Sequence, residues 1–246
     1  MVRANKTSTG AYDLNKFLFG GYDNDIITTI YGPGGSGKSN LCMMISASQA
    51  KKGNKVIFVD TEGGFSSERF KQIHQGDKEE IEKSLENILL LKPTSFNEQE
   101  KAFETLLKNV NKKSVSLIII DSIVMLYRLE LGEAITSKDD RKIAIINRKL
   151  AKQLRILNEI ARKENIPVIV TNQVYSEFVR DIEKQNIEKQ VSMVGGDLLK
   201  YWSKCLIELK TFKGKRKLVL KKHRSLPVKE FSFEILNIGI RKRGIF

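Results

Sequence analysis

The chain has 246 residues, 41% of them hydrophobic, and a formal net charge of +14 from 43 Lys/Arg against 29 Asp/Glu. That length suits a single α/β domain spanning 1–246 with ample core, and the composition excludes a disordered chain. No run of eighteen apolar residues occurs and the N-terminus MVRANKTSTGAYDL lacks an apolar leader, so neither a membrane span nor a signal peptide is expected.

Residues 1–25 read as a short N-terminal segment with a turn at Gly20–Gly21. Next comes IITTIYGPGGSGKSN, residues 26–40. Its second half is G-x-x-x-x-G-K-S, with Gly32, Gly37, Lys38 and Ser39 at the fixed positions, preceded by a β-branched run and followed by an apolar helical stretch. A loop that wraps phosphates with backbone N–H groups must be free of side chains, and the glycines provide this. The following helix points its positive dipole end at the anion. Gly32, Pro33, Gly34, Gly35, Ser36, Gly37, Lys38, Ser39 and Asn40 are therefore the expected nucleotide-binding run, with Lys38 on the β/γ-phosphates and the Ser39 hydroxyl on Mg²⁺.

Lys51, Lys52 and Gly53 end that helix, and KVIFVD (55–60) is a short strand closing on a carboxylate. TEGGF and a helix from about Ser66 follow. A strand is expected near 89–91, then a helix started by Asn97 and Glu100 in the manner of a capping box. SVSLIIID is an apolar strand ending at Asp121. From Asp139 to Asn165, Ile143, Ile146, Leu150, Leu154, Leu157 and Ala161 recur at helical spacing. PVIVT leads to Asn172–Gln173, and residues 175–193 read as a mobile loop. An amphipathic helix follows Gly195–Gly196, then strands near 204–211, 216–223 and 230–236, with KGKR (213–216) as a hairpin turn. Alternating strands and helices imply a mainly parallel sheet with helices on both faces, and the closing strands imply an antiparallel extension.

In such sheets ligands bind beyond the carboxyl ends of the strands, where the P-loop, Asp60–Glu62, Asp121 and Gln173 all fall. Asp121 ends a buried strand in the Walker B manner, as a carboxylate near Mg²⁺. Glu62, beside two glycines, is the candidate general base for an attacking water. Gln173 can offer an amide to the γ-phosphate and sense its presence. Lys222 and Arg224 read either as fingers on a neighbour's nucleotide or as a basic strand edge. His74 and His223 have no partners in the sequence, and Cys42 and Cys205 lack metal-ligand spacing and read as buried thiols in a reducing cytosol. Residues 1–127 hold 16 Lys/Arg against 15 Asp/Glu, whereas 128–246 hold 27 against 14. A basic half beside a neutral nucleotide-binding half points to a polyanionic partner, most simply nucleic acid.

The segments GPGGSGKS, FVDTEGGFSSERF, LIIIDSI and VIVTNQV, with KHRSLP near the end, resemble the RecA/RadA recombinase family over about residues 7–238. Within it the chain looks like the short archaeal paralogues of the main recombinase. The resemblance implies a RecA-like P-loop NTPase core that binds ATP and Mg²⁺. It matches Glu62 to the catalytic glutamate, Gln173 to the γ-phosphate switch and Arg69 to a residue lying against adenine. Lys38, Glu62 and Gln173 are then the catalytic set. Stretches at about 128–140 and 175–195 match DNA-facing loops. The family's helix-hairpin-helix domain and F-x-x-A linker do not precede this core, which argues against ordinary filaments and full strand exchange. The resemblance thus implies a cytoplasmic, nucleoid-associated accessory protein of recombination and repair. It would bind DNA through phosphates, hydrolyse ATP weakly, and regulate the RadA recombinase or a Holliday-junction resolvase. A filament-forming strand-exchange enzyme and a regulatory ATPase without nucleic acid remain the alternatives.

Overall fold

A computed structural model describes residues 5–110, 115–177 and 190–244. The chain opens with β1 (Lys6–Thr7), α1 (Tyr12–Phe17) and β2 (Tyr22–Asp23). Strands and helices then alternate through β3 (Ile27–Gly32), α2 (Lys38–Ala50), β4 (Lys55–Asp60), α3 (Ser67–His74), α4 (Lys78–Glu86), β5 (Ile88–Leu91), α5 (Phe96–Asn109) and β6 (Val115–Asp121). After β6 come α6 (Met125–Thr136), α7 (Asp140–Glu164), β7 (Val168–Glu177), β8 (Gln190–Met193) and α8 (Gly196–Trp202). The chain closes with β9 (Ser203–Phe212), β10 (Lys215–Lys222), β11 (Lys229–Leu236) and β12 (Gly239–Lys242).

The main sheet has the order β12-β11-β10-β9-β3-β7-β6-β4-β5, and β8 pairs with the far end of β7. From β9 to β5 every pairing is parallel. Beyond β9 the pairings are antiparallel. The parallel core and antiparallel extension expected from the sequence are both present.

Strand β6 shows why the core is double-sided. Leu117 and Ile119 pack with Leu41 and Ile45 of α2, whereas Ile118 and Ile120 pack with Leu150, Leu154 and Leu157 of α7. A strand covered on both faces needs apolar residues at every position, which LIII supplies. Helix α7 buries Ile146, Leu150, Leu154, Leu157 and Ala161, as its spacing predicts, and half-buries Ile143. The Asp139 carboxylate accepts from Lys142 N–H at its start, and Asn165 adopts a left-handed conformation at its end.

Several elements differ from the expectation. Helix α5 is capped two residues earlier, by Ser95 accepting from Glu98 N–H, and the Glu98 carboxylate takes Thr94 N–H instead of closing a box at Asn97. Most of the stretch 128–140, expected as a loop, is helix α6, because Leu, Arg, Glu and Ala favour helix and apolar residues on several sides blur its period. Residues 175–177 and 190–193 extend β7 and pair it with β8, while 178–189 lie outside the described residues. Short β12 went unread because GIRK has no apolar alternation. The hairpin turn at 213–216 narrows to Lys213–Gly214, both at positive φ. Among the described residues no helix is long and apolar enough to cross a membrane.

The β1–β2 ribbon depends on Gly21, whose φ is +133°. A Cβ there would sit 2.1 Å from Thr7 O, a backbone atom that cannot give way. Gly21→Ala is expected to destabilise the fold by about 2 kcal/mol or more, read as a lowered midpoint in chemical denaturation.

Candidate nucleotide site

Parallel register assembles the site. Gly32 at the end of β3 lies level with Gln173 on β7, and Asp60 on β4 lies level with Asp121 on β6. Polar residues begin where the strands leave the core, so four chain segments deliver them to one edge.

The loop from Gly32 to Ser39 joins β3 to α2. Gly32 is required by crowding, since a Cβ would lie 2.4 Å from Leu209 O. Gly34 and Gly35 face open space, where a Cβ would meet nothing within 4 Å. Gly37, at φ +108°, begins α2 without a side chain to cap it. The Lys38 ammonium is buried and donates to Gly32 O at 2.9 Å and Pro33 O at 3.0 Å. Burial lowers its pKa, against the opposing pull of Glu62 and Asp121. The Ser36 hydroxyl is buried without a hydrogen-bond partner.

Asp121 is 1% exposed. Its Oδ1 accepts from the Thr171 hydroxyl on β7. Its Oδ2 is buried and accepts no hydrogen bond. Burial raises the Asp121 pKa, while the Thr171 and Ser39 hydroxyls act against the rise and Glu62 and Asp60 add to it. Gly64 keeps this corner open: a Cβ there would lie 3.2 Å from Ser39 Oγ and 3.5 Å from Asp121 Oδ2. A carboxylate oxygen left bare beside a hydroxyl, next to a glycine loop, is a donor set that suits Mg²⁺.

Asp60 does different work. Its carboxylate accepts from the N–H groups of Glu62 (3.3 Å), Gly64 (2.9 Å) and Phe65 (3.0 Å), and so folds the TEGGF turn. Thr61 exchanges hydrogen bonds with Ser122, through its hydroxyl to Ser122 O and from Ser122 N–H, both 2.8 Å. The turn then presents Glu62, whose Oε2 accepts from Gln173 Nε2 at 2.8 Å. Gly63 beside it meets nothing within 4 Å.

Arg69 is heavily engaged. Its guanidinium donates to Asn40 Oδ1 (2.9 and 2.7 Å), Gln72 Oε1 (2.9 Å), Leu236 O (2.6 Å) and Asn237 O (2.8 Å). It binds the β11–β12 turn to the start of α2. Arg224 is paired with Asp23 (2.8 Å) and Asp25 (3.0 Å), and Lys222 Nζ donates to Lys200 O (2.6 Å). Both lie near the start of β9, at the sheet edge opposite the P-loop of their own chain. His223 sits 3.4 Å from Asp23, and burial lowers its pKa. His74 is also buried, against Ser84. Cys42 and Cys205 are buried free thiols.

Sequence reasoning missed Thr171, Thr61 and Arg216. Thr171 was visible as the residue before Asn172, but only the β6–β7 pairing reveals that it meets Asp121. Arg216 reaches Gly35 O at 3.4 Å from the start of β10, a contact across 181 positions.

A glycine-rich loop between a buried strand and an uncapped helix, facing a strand-end carboxylate on a mainly parallel sheet, defines a P-loop NTPase core of the RecA kind. The family model for Rad51 matches residues 3–243. The chain is 40% identical over 232 residues to "DNA repair and recombination protein RadB" of Methanobrevibacter smithii, covering 92% of each chain. It is 38% identical over 227 residues to the protein of that name from Methanocaldococcus jannaschii, covering 92% of this chain and 98% of that one. The solved structure titled "Crystal structure of the RadB recombinase" superposes with a TM-score of 0.72 at 33% identity, covering 95% and 98% of the two chains. The chain therefore belongs to the Rad51 family, among its RadB members, and family membership implies nucleotide binding.

The raised pKa of Asp121 gives a signed test. The folded state binds this proton more tightly than the unfolded state, so stability falls as pH rises from the ordinary carboxylate value through the folded one. Asp121→Asn removes that cost and keeps an oxygen for Thr171. Without nucleotide or metal, the variant is expected to melt above the parent at pH 7. The gap should close as the buffer is taken down to about pH 4, followed by circular dichroism melts.

Proposed function

We propose that this protein is an ATP- and DNA-binding accessory factor of recombination and repair with weak ATPase activity. One contact carries the reading most directly: Gln173 Nε2 on Glu62 Oε2 at 2.8 Å. It joins the candidate base to a strand that runs on without a break to Glu177 and into pairing with β8. A change at the phosphate edge then has a rigid route to the segment that follows β7.

The roles divide as follows. Backbone groups of the loop from Gly32 to Ser39, with Lys38, hold the phosphates. Ser39 and Asp121 would hold a Mg²⁺ ion, which would supply charge neutralisation to the phosphates. Glu62 orients the attacking water and takes its proton. Gln173 exchanges its bond to Glu62 for the γ-phosphate when that phosphate is present. Arg69 and Asn40 form the wall beside the base.

DNA binding is supported by the relatives' printed name and by the basic second half. The contacts would be to phosphates, through the segments at about 128–140 and 175–195 and neighbouring basic residues. Regulation of the RadA recombinase or a Holliday-junction resolvase, in the cytoplasm on the nucleoid, completes the reading.

The test is ATP hydrolysis with and without single-stranded DNA. Lys38→Ala is expected to lose ATP binding. Glu62→Gln is expected to bind ATP and hydrolyse it about 100-fold more slowly. A slow parental rate little changed by DNA, beside measurable DNA binding, supports an accessory role. Strong DNA stimulation with long helical assemblies would replace it with a strand-exchange recombinase. Raising salt from about 50 to about 200 mM should weaken DNA binding tenfold or more, and salt-independent binding would sink the phosphate reading.

A further inference from the structure

Helix α7 carries four lysines and four arginines, and the fold treats them differently. Every lysine is tied to a carboxylate: Lys142 to Glu133 at 3.7 Å, Lys149 to Glu100 at 3.4 Å, Lys152 to Glu104 at 2.7 Å and Lys163 to Glu159 at 2.6 Å. Arg141, Arg148, Arg155 and Arg162 are all exposed, and none makes a hydrogen bond or ion pair among the described residues. Arg155 influences Glu159 only through space. Arginine is the better carboxylate partner by geometry, so leaving the arginines unpaired while lysines hold the acids is an unusual division.

The four arginines stand seven residues apart. At helical rise that is a step of roughly 10 Å, with a drift of about 20° per step, so they form one gently winding stripe about 30 Å long. Ala144 and Ala151 lie beside the stripe and leave it open. The one carboxylate near its centre line, Glu159, is held by Lys163. At the C-terminal end the stripe meets α8, where Arg155, Asn158, Glu159, Arg162, Lys163 and Trp202 line a groove. Tyr201 stands edge-on to Trp202, ring centroids 5.4 Å apart, and is 72% exposed.

A small anion needs one or two of these guanidinium groups; an evenly repeated cationic row suits an evenly repeated anion. A phosphodiester chain is such an anion, and guanidinium groups bind its phosphates in bidentate fashion. An acidic protein could answer the charge, but the exposed Tyr201 ring beside half-buried Trp202 at the end of the row favours a partner with stacking bases. We propose that the arginine stripe of α7, ending at Tyr201 and Trp202, is a track for a single strand of nucleic acid. This rests on the DNA-binding reading and extends the contact from the two loop segments along the solvent face of α7.

The probe is a labelled oligothymidylate of about 30 nucleotides, titrated by anisotropy over a salt series with ATP and Mg²⁺ present. Each phosphate released from the contact lowers the slope of log affinity against log salt by about 0.7 for a single strand. The triple variant Arg148→Gln, Arg155→Gln, Arg162→Gln is therefore expected to lose about 2 from that slope and to bind at least tenfold more weakly at low salt. Trp202 is the chain's one tryptophan, so its fluorescence should change on oligonucleotide binding in the parent. Parental melting and ATP binding in the triple variant exclude misfolding. Should it misfold, Arg148→Gln alone is expected to lose about 0.7 from the slope. A parent that binds while the variants keep its slope overturns the stripe and leaves DNA binding standing. A parent that does not bind at low salt overturns both.

Discussion

The site exists because strands β3, β7, β6 and β4 run parallel in one fixed register. Asp60 is level with Asp121, and Gly32 is level with Gln173. Each of these strands is buried on both faces, so a slip of one residue would move apolar side chains out of two cores at once. Thr171 on β7 is level with Asp121, and Gln173 lies two residues further along the same strand, so these groups from distant parts of the chain are held at one edge by a mainly apolar interior. The precision of the polar edge comes from the apolar interior.

That edge also contains an unresolved tension. Asp121 is nearly inaccessible, its pKa is raised by burial, and one of its oxygens has no partner. The fold supplies two hydroxyls, those of Thr171 and Ser39, and leaves room for something positive. Asp60, an identical side chain one strand away, is saturated by three N–H groups and serves the turn. The difference between a carboxylate that builds a loop and one that awaits a cation is the hydrogen-bond inventory, which residue type alone does not reveal. The same contrast separates Arg69 and Arg224, each held by several hydrogen-bond or ion-pair partners, from the open arginines of α7.

Much of this was legible beforehand. KVIFVD and LIIID ended in carboxylates where a parallel sheet presents its ligand edge, and the glycine pattern named its own loop. Helix α7 announced itself through leucines at three and four. What stayed hidden were facts of tertiary pairing. Thr171 meeting Asp121, Arg216 meeting Gly35, and Arg69 reaching Leu236 all cross 50 or more positions. Helix α6 was missed because apolar residues point in several directions along it, which erases the period. Strand β12 was missed because its register is set by its partner β11, not by its own pattern.

The last hairpin has a further consequence for how the molecule is made. Ile235 on β11 packs under the loop, so that a Cβ on Gly37 would lie 3.0 Å from its Cδ1. Arg69 grips the turn after β11, and Lys242 N–H on β12 donates to Asp13 of α1 at 2.7 Å, bringing α1 and β12 together. A nascent chain halted before residue 229 already contains the glycine loop, Glu62, Asp121 and Gln173. It lacks the floor beneath Gly37 and the clasp on Arg69. The nucleotide cleft is therefore finished by β11, its turn and β12, so a chain cut before them carries the motif without the completed cleft.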